Sequence, residues 1–303
     1  MIKQFYNFAL NRMSYGKETA KGHPVVVAIE PTSICPMKCV MCPAKNMKRK
    51  GGFMDINLFK KIVDQAKKYS PFISLEIFGD SLMHPHIDKM VNYLRKNKIV
   101  SQISTNPILL TEQNIKKIEN LDFLVVSLDA TDETTYRKIR GGKNYSLAVK
   151  RINNLLRKKK RPFVVIRMIR LPGLDFKKYK KQWKHADKVD CKEPHTFGTG
   201  KSKWNYKGTC FKFWQGLHIY WDGRVTVCCF DYDGKAIIGD ANKQTLEEIW
   251  NSDKMKEMRR MECPLCIRCT ERVKPIGYLQ YLINYIYWRN FRAIEKSRKV
   301  IRR

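Results

Sequence analysis

Three cysteines, Cys35, Cys39 and Cys42, stand close together as C-x3-C-x2-C in a segment bracketed by Pro31 and Pro36. A loop can wrap three sulfurs around one compact centre, whereas a helix or strand at these spacings would aim some of them apart. Soft thiolates select zinc or an iron–sulfur centre. A structural zinc site is closed by four ligands, and the nearest further donor in sequence, His23, precedes the apolar run that leads into the loop. Three thiolates on a 4Fe-4S cluster leave one iron open; scattered buried or zinc-binding cysteines are the alternative. Seven more cysteines follow, at Cys191, Cys210, Cys228, Cys229, Cys263, Cys266 and Cys269. Ten thiols without a secretory signal point to a reducing compartment and to metal binding rather than disulfides.

The loop must be held by elements on either side. Apolar runs rich in Val, Ile and Phe predict strands over Val25 to Glu30, Ser74 to Gly79, Val100 to Thr105, Phe123 to Leu128 and Phe163 to Arg170. Amphipathic helices alternate with them. One follows Asp55, and others span His86 to Lys96, Thr111 to Leu121 (with Thr111 as N-cap) and Ser146 to Arg157. This is an α/β pattern with a parallel sheet. A partial TIM-like barrel and an open doubly wound sheet both satisfy it, and either puts loop-borne residues at the strand carboxyl ends.

The three-cysteine loop resembles the signature of the radical S-adenosylmethionine (SAM) enzymes, C-x3-C-x-φ-C, with Met41 where an aromatic residue is usual. Further strand ends are similar to the family's cofactor-binding positions. Phe78-Gly79-Asp80-Ser81 resembles its Gly-Gly-Glu-Pro turn, changed at the first and last residues and shortened at Asp80. Ser104-Thr105-Asn106 resembles a Thr-Asn-Gly strand end, with Pro107 in place of the glycine. Ser127-Leu128-Asp129-Ala130 resembles a Ser-x-Asp-Gly region, followed by Arg140. The resemblance covers residues 25 to 170. It implies a partial (β/α)6 TIM-like barrel, a SAM-binding 4Fe-4S cluster on Cys35, Cys39 and Cys42, and SAM held by Met41, Gly79, Asp80, Ser81, Thr105, Asn106, Ser127, Asp129 and Arg140. Reductive SAM cleavage to a 5'-deoxyadenosyl radical is the activity it implies. By position alone, Glu30 and Arg167 are substrate-contact candidates or structural salt bridges.

The remaining cysteines form a second group. Cys210 precedes and Cys228 ends a segment, Leu217 to Cys228, that reads as a hairpin turning at Trp221-Asp222-Gly223. A helix from Leu246 to about Arg260 precedes Cys263-x2-Cys266-x2-Cys269. The stretch 210 to 269 resembles the C-terminal SPASM and twitch extensions of the same family, small α+β modules, and lacks the C-x2-C-x5-C-x3-C run of a full SPASM module. The resemblance implies one auxiliary 4Fe-4S cluster on Cys210, Cys228, Cys266 and Cys269, with Cys263 as an alternative ligand. A zinc ribbon competes on spacing alone. Cys229, placed next to a ligand on a strand, is expected to face away as a small buried residue.

The domain plan is an amphipathic extension over 1–20, the core over 21–205, the auxiliary module over 206–275 and a basic amphipathic tail over 276–303. Lys and Arg outnumber Asp and Glu by 60 to 28, a formal charge of +32, so long-range attraction favours anionic partners. The runs Lys48-Arg49-Lys50, Arg157 to Arg161 and Lys177 to Lys184 read mainly as solvated faces. A flavodoxin or ferredoxin reductant fits this charge. Nucleic acid is disfavoured, because aromatics do not alternate with the basic runs. The tail, with Tyr278 to Trp288 leading into seven Lys and Arg between Arg289 and Arg303, lies either on an anionic membrane surface or packed on the barrel. A cytoplasmic site, with contact at the inner membrane face under the first of these readings, is expected. Within the resembling subgroup the expected function is dehydrogenation of a sugar, cyclitol or similar small polar substrate, with the auxiliary cluster accepting an electron. Peptide or protein maturation is the alternative, and a zinc-stabilised nucleic-acid-binding protein is the alternative of another class.

Overall fold

The computed structural model describes residues 2–195, 210–260, 263, 265, 266 and 269. The chain opens with α1 (Ile2–Met13) and then builds alternating strands and helices: β1 (Val26–Ile29), α2 (Ile56–Ala66), β2 (Phe72–Ser74), α3 (Ile87–Lys96), β3 (Val100–Thr105), α4 (Glu112–Lys117), β4 (Phe123–Ser127), α5 (Glu133–Arg140), α6 (Tyr145–Arg157), β5 (Phe163–Ile169), α7 (Phe176–Gln182) and β6 (Lys188–Lys192). These six strands pair in parallel and in sequence order. The sheet is open, as in a partial (β/α)6 barrel. Alternation along each strand sets its two faces. Val27, Ile29, Ile73, Ile103, Leu124, Val126, Val164 and Ile166 are fully buried in the main core, whereas Ala28, Ser74, Gln102 and Ser127 share the other, lumenal face.

Helix ends follow their sequence signals. The Asp55 carboxylate accepts from the Asn57 and Leu58 amides at 2.8 and 3.0 Å, and the Thr111 hydroxyl accepts from Asn114 at 3.2 Å. Three expectations are corrected. α4 ends at Lys117 rather than Leu121. β2 ends at Ser74 rather than starting there. Beyond Leu75 the backbone leaves the ladder: the Phe78 amide donates to the Glu30 carboxylate at 3.2 Å and the Asp80 amide to the Ile34 carbonyl at 2.9 Å. The helix expected from Leu246 to Arg260 is two, α8 (Leu246–Trp250) and α9 (Asp253–Arg259). Ser252 caps α9 through the Met255 amide, and Asn251 turns aside to exchange both amide hydrogen bonds with Ala20.

The hairpin of the C-terminal half is β7 (Gly216–Ile219) and β8 (Arg224–Thr226), followed by β9 (Ile237–Asp240). β7 pairs in parallel with β1, giving one nine-stranded sheet in the order β6-β5-β4-β3-β2-β1-β7-β8-β9. The cysteine-bearing hairpin is thus a direct extension of the barrel sheet. α1 is tied in beside it, with Phe8 fully buried edge-on to Phe211 and Asn11 bridging to Gly22 and His23, while Tyr6 and Met13 face outward. Among the described residues no helix is long and apolar enough to cross a membrane. The tail over 276–303, on which the membrane-surface reading rests, lies outside the described residues.

Candidate active site

The loop carrying Cys35, Cys39 and Cys42 leaves β1 and is clamped by backbone contacts with two other loops. At Gly79 φ is +76°, and an added Cβ would come within 2.2 Å of the Thr32 carbonyl oxygen. Only glycine lets the turn after β2 lie flat against the start of the cysteine loop. On the other flank, Gly141 ends α5 at φ +66°, with the Lys38 carbonyl oxygen 2.8 Å from where its Cβ would stand. The Val40 amide donates to Ile139 there at 2.9 Å. A 3-10 turn over Pro43–Asn46 then ends the loop.

All three thiols are free and open on a single cavity of about 230 Å³. Its walls bring together most of the strand-end set expected from the sequence: Met41, Gly79, Asp80, Thr105, Asn106, Ser127 and Arg140. Ser104, Ile169 and His195 complete the strand-end side. Ser81 and Asp129 are not in the lining. Ser81 is buried with its hydroxyl donating to the Leu75 carbonyl at 2.5 Å, and Asp129 sits behind Arg140 in an ion pair while accepting from the Ile169 amide at 2.6 Å. Asp129 takes φ +54°, a left-handed conformation that Asp tolerates better than most residues.

Asp80 lines the cavity, but its hydrogen bonds go to its neighbours. Its two oxygens accept from Leu82 N, Thr105 Oγ1, Asn106 N and Asn106 Nδ2 at 2.8 to 3.1 Å, locking the end of β3 to the turn after β2. Burial pushes its carboxyl up from the ordinary range, and those donors oppose the shift. Burial also raises the Cys35 thiol to about 12 and, in direction, that of Cys42. Metal binding must then displace their protons. Arg140 opposes the shift at Cys42 and donates to the Cys39 sulfur at 3.4 Å; although burial works against its charge, Asp129 and Cys39 keep it protonated. Three thiols beside one fixed cation are a donor set suited to an iron–sulfur cluster.

Glu30 and Arg167 do not line this cavity. Glu30, with no exposed surface, takes a bidentate pair with Arg49 and also accepts from the Phe78 and Trp221 amides. Arg49 stacks over Tyr220 at 4.1 Å and donates to the Tyr232 carbonyl, while Asp233 accepts from the Lys48 and Arg49 amides. The arrangement ties β1, the cysteine loop and the hairpin together. Arg49 is therefore no solvated member of a basic run, and the sequence signal for it was only its distance from Glu30. Arg167 pairs with Asp190 at 2.9 Å across β5 and β6. Both candidates thus have the salt-bridge partners of the second sequence reading.

The second cysteine group mixes buried and half-buried thiols, as the first does with Cys39 beside Cys35 and Cys42. Cys210, Cys263 and Cys266 are among the buried residues, whereas Cys228 and Cys269 are partly covered. A hydrogen bond between the two thiols holds Cys263 below the ordinary thiol range and Cys266 above it, and Cys210 and Cys228 lie close enough to raise Cys266 further. Cys263 thus meets the group through Cys266, the thiol that lies beside Cys210 and Cys228. Cys228 and Cys229 lie beyond the end of β8, so strand alternation does not separate them; Cys229 is hydrogen-bonded to Cys228, which lowers it to about 7. Among the described residues no three His, Cys, Asp or Glu side chains close on a single ion. A cluster that offers each thiolate its own iron does not require them to.

The model of the radical SAM superfamily matches residues 29–181, half of the chain. The chain belongs to the radical SAM superfamily. Residues 210–270 match the SPASM iron–sulfur cluster-binding domain, so SAM and iron–sulfur clusters are its cofactors. A tungsten-containing aldehyde ferredoxin oxidoreductase cofactor-modifying protein of Pyrococcus furiosus is 35% identical over 106 residues, 33% of this chain and 30% of that protein. The matched stretch is thus under a third of that relative. In fold, the chain is similar to BtrN in complex with AdoMet and 2-DOIA (TM-score 0.59, 19% identity, 82% of this chain and 93% of that one). It is also similar to Streptococcus suis SuiB bound to precursor peptide SuiA (TM-score 0.67, 14% identity, 86% and 74%).

Proposed function

We propose that this radical SAM protein oxidises a sugar, cyclitol or similar polar metabolite at a carbon bearing a hydroxyl group. The radical SAM chemistry in this reading is supported by one observation, that Cys35, Cys39 and Cys42 open on the same cavity as the strand-end residues of β3 and β4 and the turn after β2. The polyol substrate draws on the likeness to BtrN, solved with AdoMet and 2-DOIA. In this reading Cys35, Cys39 and Cys42 hold the SAM-binding 4Fe-4S cluster. When bound and reduced, that cluster with SAM supplies a 5'-deoxyadenosyl radical able to remove a hydrogen atom from an unactivated carbon.

The chain's own residues orient and exclude. The Gly79 turn offers backbone groups to the methionine moiety, Arg140 presents a fixed positive charge to its carboxylate, and Ser127 and Asn106 meet the ribose and its surroundings. Asp80 and Asp129 act through the residues they hold, Asp80 through Thr105 and Asn106 and Asp129 through Arg140; Ser81 fixes the turn. Met41 covers the nucleoside side. Cys210, Cys228, Cys266 and Cys269 hold the auxiliary cluster, with Cys263 as the alternative ligand, on the sheet extension next to β1. Electron supply falls to an acidic flavodoxin or ferredoxin drawn by the +32 charge.

Anaerobic incubation with SAM and dithionite tests the reading. 5'-Deoxyadenosine is expected, in yield raised by a polyol and accompanied by a carbonyl product. A second reading, peptide modification, draws on the SuiB structure with its precursor peptide; stimulation by peptides and not by polyols would select it.

A further inference from the structure

The lumenal face of the sheet carries polar atoms that the cavity does not use. In one register row across β7, β1, β2 and β3 stand His218, Ala28, Ser74 and Gln102. Gln102 is one alternation below Ser104, which lines the cavity. Its Nε2 donates to Glu76 Oε1 at 2.7 Å, which brings Glu76 to the same place. Three buried atoms here have no hydrogen-bond partner among the described residues: Ser74 Oγ, Glu76 Oε2 and His218 Nδ1. Ser74 and His218 are each only 8% exposed. Between them Ala28 offers just a methyl group. Further down the face, Val100 and Phe123 with Phe72 and Phe163 form an apolar cluster.

Buried polar atoms in a native fold are matched by a partner, so three unmatched ones on one wall imply a guest that supplies it. We infer that Ser74, Glu76 and His218 form the substrate subsite of the barrel and take a polyhydroxylated ring bearing neutral or amino substituents. An ionised Glu76 accepts only, so the group facing it must donate; Ser74 and His218 each need a donor or an acceptor. Adjacent hydroxyls provide both. An anionic guest would meet Glu76, and an apolar one would leave all three atoms unmatched. Ser74 and His218 are two strand spacings apart, about 10 Å between backbones, so one six-membered ring could reach both side chains. The inference rests on the cavity being the SAM site and names the compound class that site serves.

The test is anaerobic equilibrium dialysis of the reconstituted, unreduced protein with SAM present, against radiolabelled myo-inositol, glucose and glucosamine, with a serine-containing peptide for contrast. At least one ring compound should saturate one site per chain. Glu76→Gln should weaken it by about tenfold or more, as loss of a charged acceptor does. Ala28→Leu should abolish it by setting a larger side chain between Ser74 and His218. Iron content and SAM binding serve as controls of folding in each variant, and Ser74→Ala replaces Ala28→Leu if the latter does not fold. Binding of no ring compound, binding of the peptide alone, or ring binding unmoved by Glu76→Gln would each overturn the subsite. Ring binding by a protein that forms no 5'-deoxyadenosine when reduced would leave the subsite standing and remove the radical reading instead.

Discussion

The two cysteine groups of this chain are built in opposite ways. Cys35, Cys39 and Cys42 lie on a loop whose place is set by backbone contacts at Gly79 and Gly141, and they face a cavity. Cys210, Cys263 and Cys266 are buried beside a hairpin that continues the barrel sheet, with sulfurs close to one another. The first arrangement would leave room beside a bound cluster for a ligand; the second would place one among packed side chains. What separates them is less the number of thiols than what holds them: precise loop-to-loop contacts for an open centre, packing for a closed one.

Substitutions at the two groups should separate their roles most sharply. Cys39→Ala should abolish 5'-deoxyadenosine and lower iron from roughly eight to roughly four per chain. Cys228→Ala should lose a similar amount of iron yet keep SAM cleavage in part while stopping product formation. Iron counts with quantitative product analysis distinguish these outcomes; equal loss of cleavage in both would erase the contrast. Next in size is the buried pair that joins the two regions. Arg49→Ala leaves Glu30 charged and unpaired where no water reaches, a cost of about 3–5 kcal/mol in denaturant unfolding, whereas removing both partners together should cost less.

The clamps come third. Gly79→Ala sets a methyl against the Thr32 carbonyl in a left-handed turn and should destabilise by about 1–3 kcal/mol while weakening SAM binding measured by dialysis. Gly141→Ala, against a longer 2.8 Å approach, should do less. The smallest effect is remote from both groups. Asp55 is held below the usual carboxyl range by the Leu58 and Asn57 amides. Asp55→Ala should cost about 1 kcal/mol near neutral pH. Because the folded pKa is depressed, that contribution is present above the unfolded value of about 3.9 and disappears as pH falls through the folded one, so wild type and variant should converge in acid melts.

Much of the barrel and its upper rim was legible in the sequence. Strand runs and the Asp55 and Thr111 caps reflect local rules, the strand-end motif residues came with the family resemblance, and the cavity collects seven of the nine residues expected around SAM. What escaped was long-range. The run Leu75 to Gly79 is apolar enough for a strand, yet its amides serve Glu30 and the cysteine loop, partners no local pattern reveals. The parallel docking of β7 on β1 is likewise invisible, since a hairpin's own alternation does not say which edge it joins. Arg49 hid in a basic run because charge composition cannot register a carboxylate 19 residues away. Ser74 and Glu76 went unremarked because their meaning is an absence of partners, which only the packed structure displays.

The most direct test of the open-versus-closed account is low-temperature electron paramagnetic resonance of the reduced, reconstituted protein with and without SAM, in wild type and in Cys228→Ala. Two overlapping 4Fe-4S signals are expected in wild type, one of them altered by SAM, and only the SAM-responsive signal should survive in the variant. A spectrum indifferent to SAM, or a protein that takes up zinc and no iron, would contradict it.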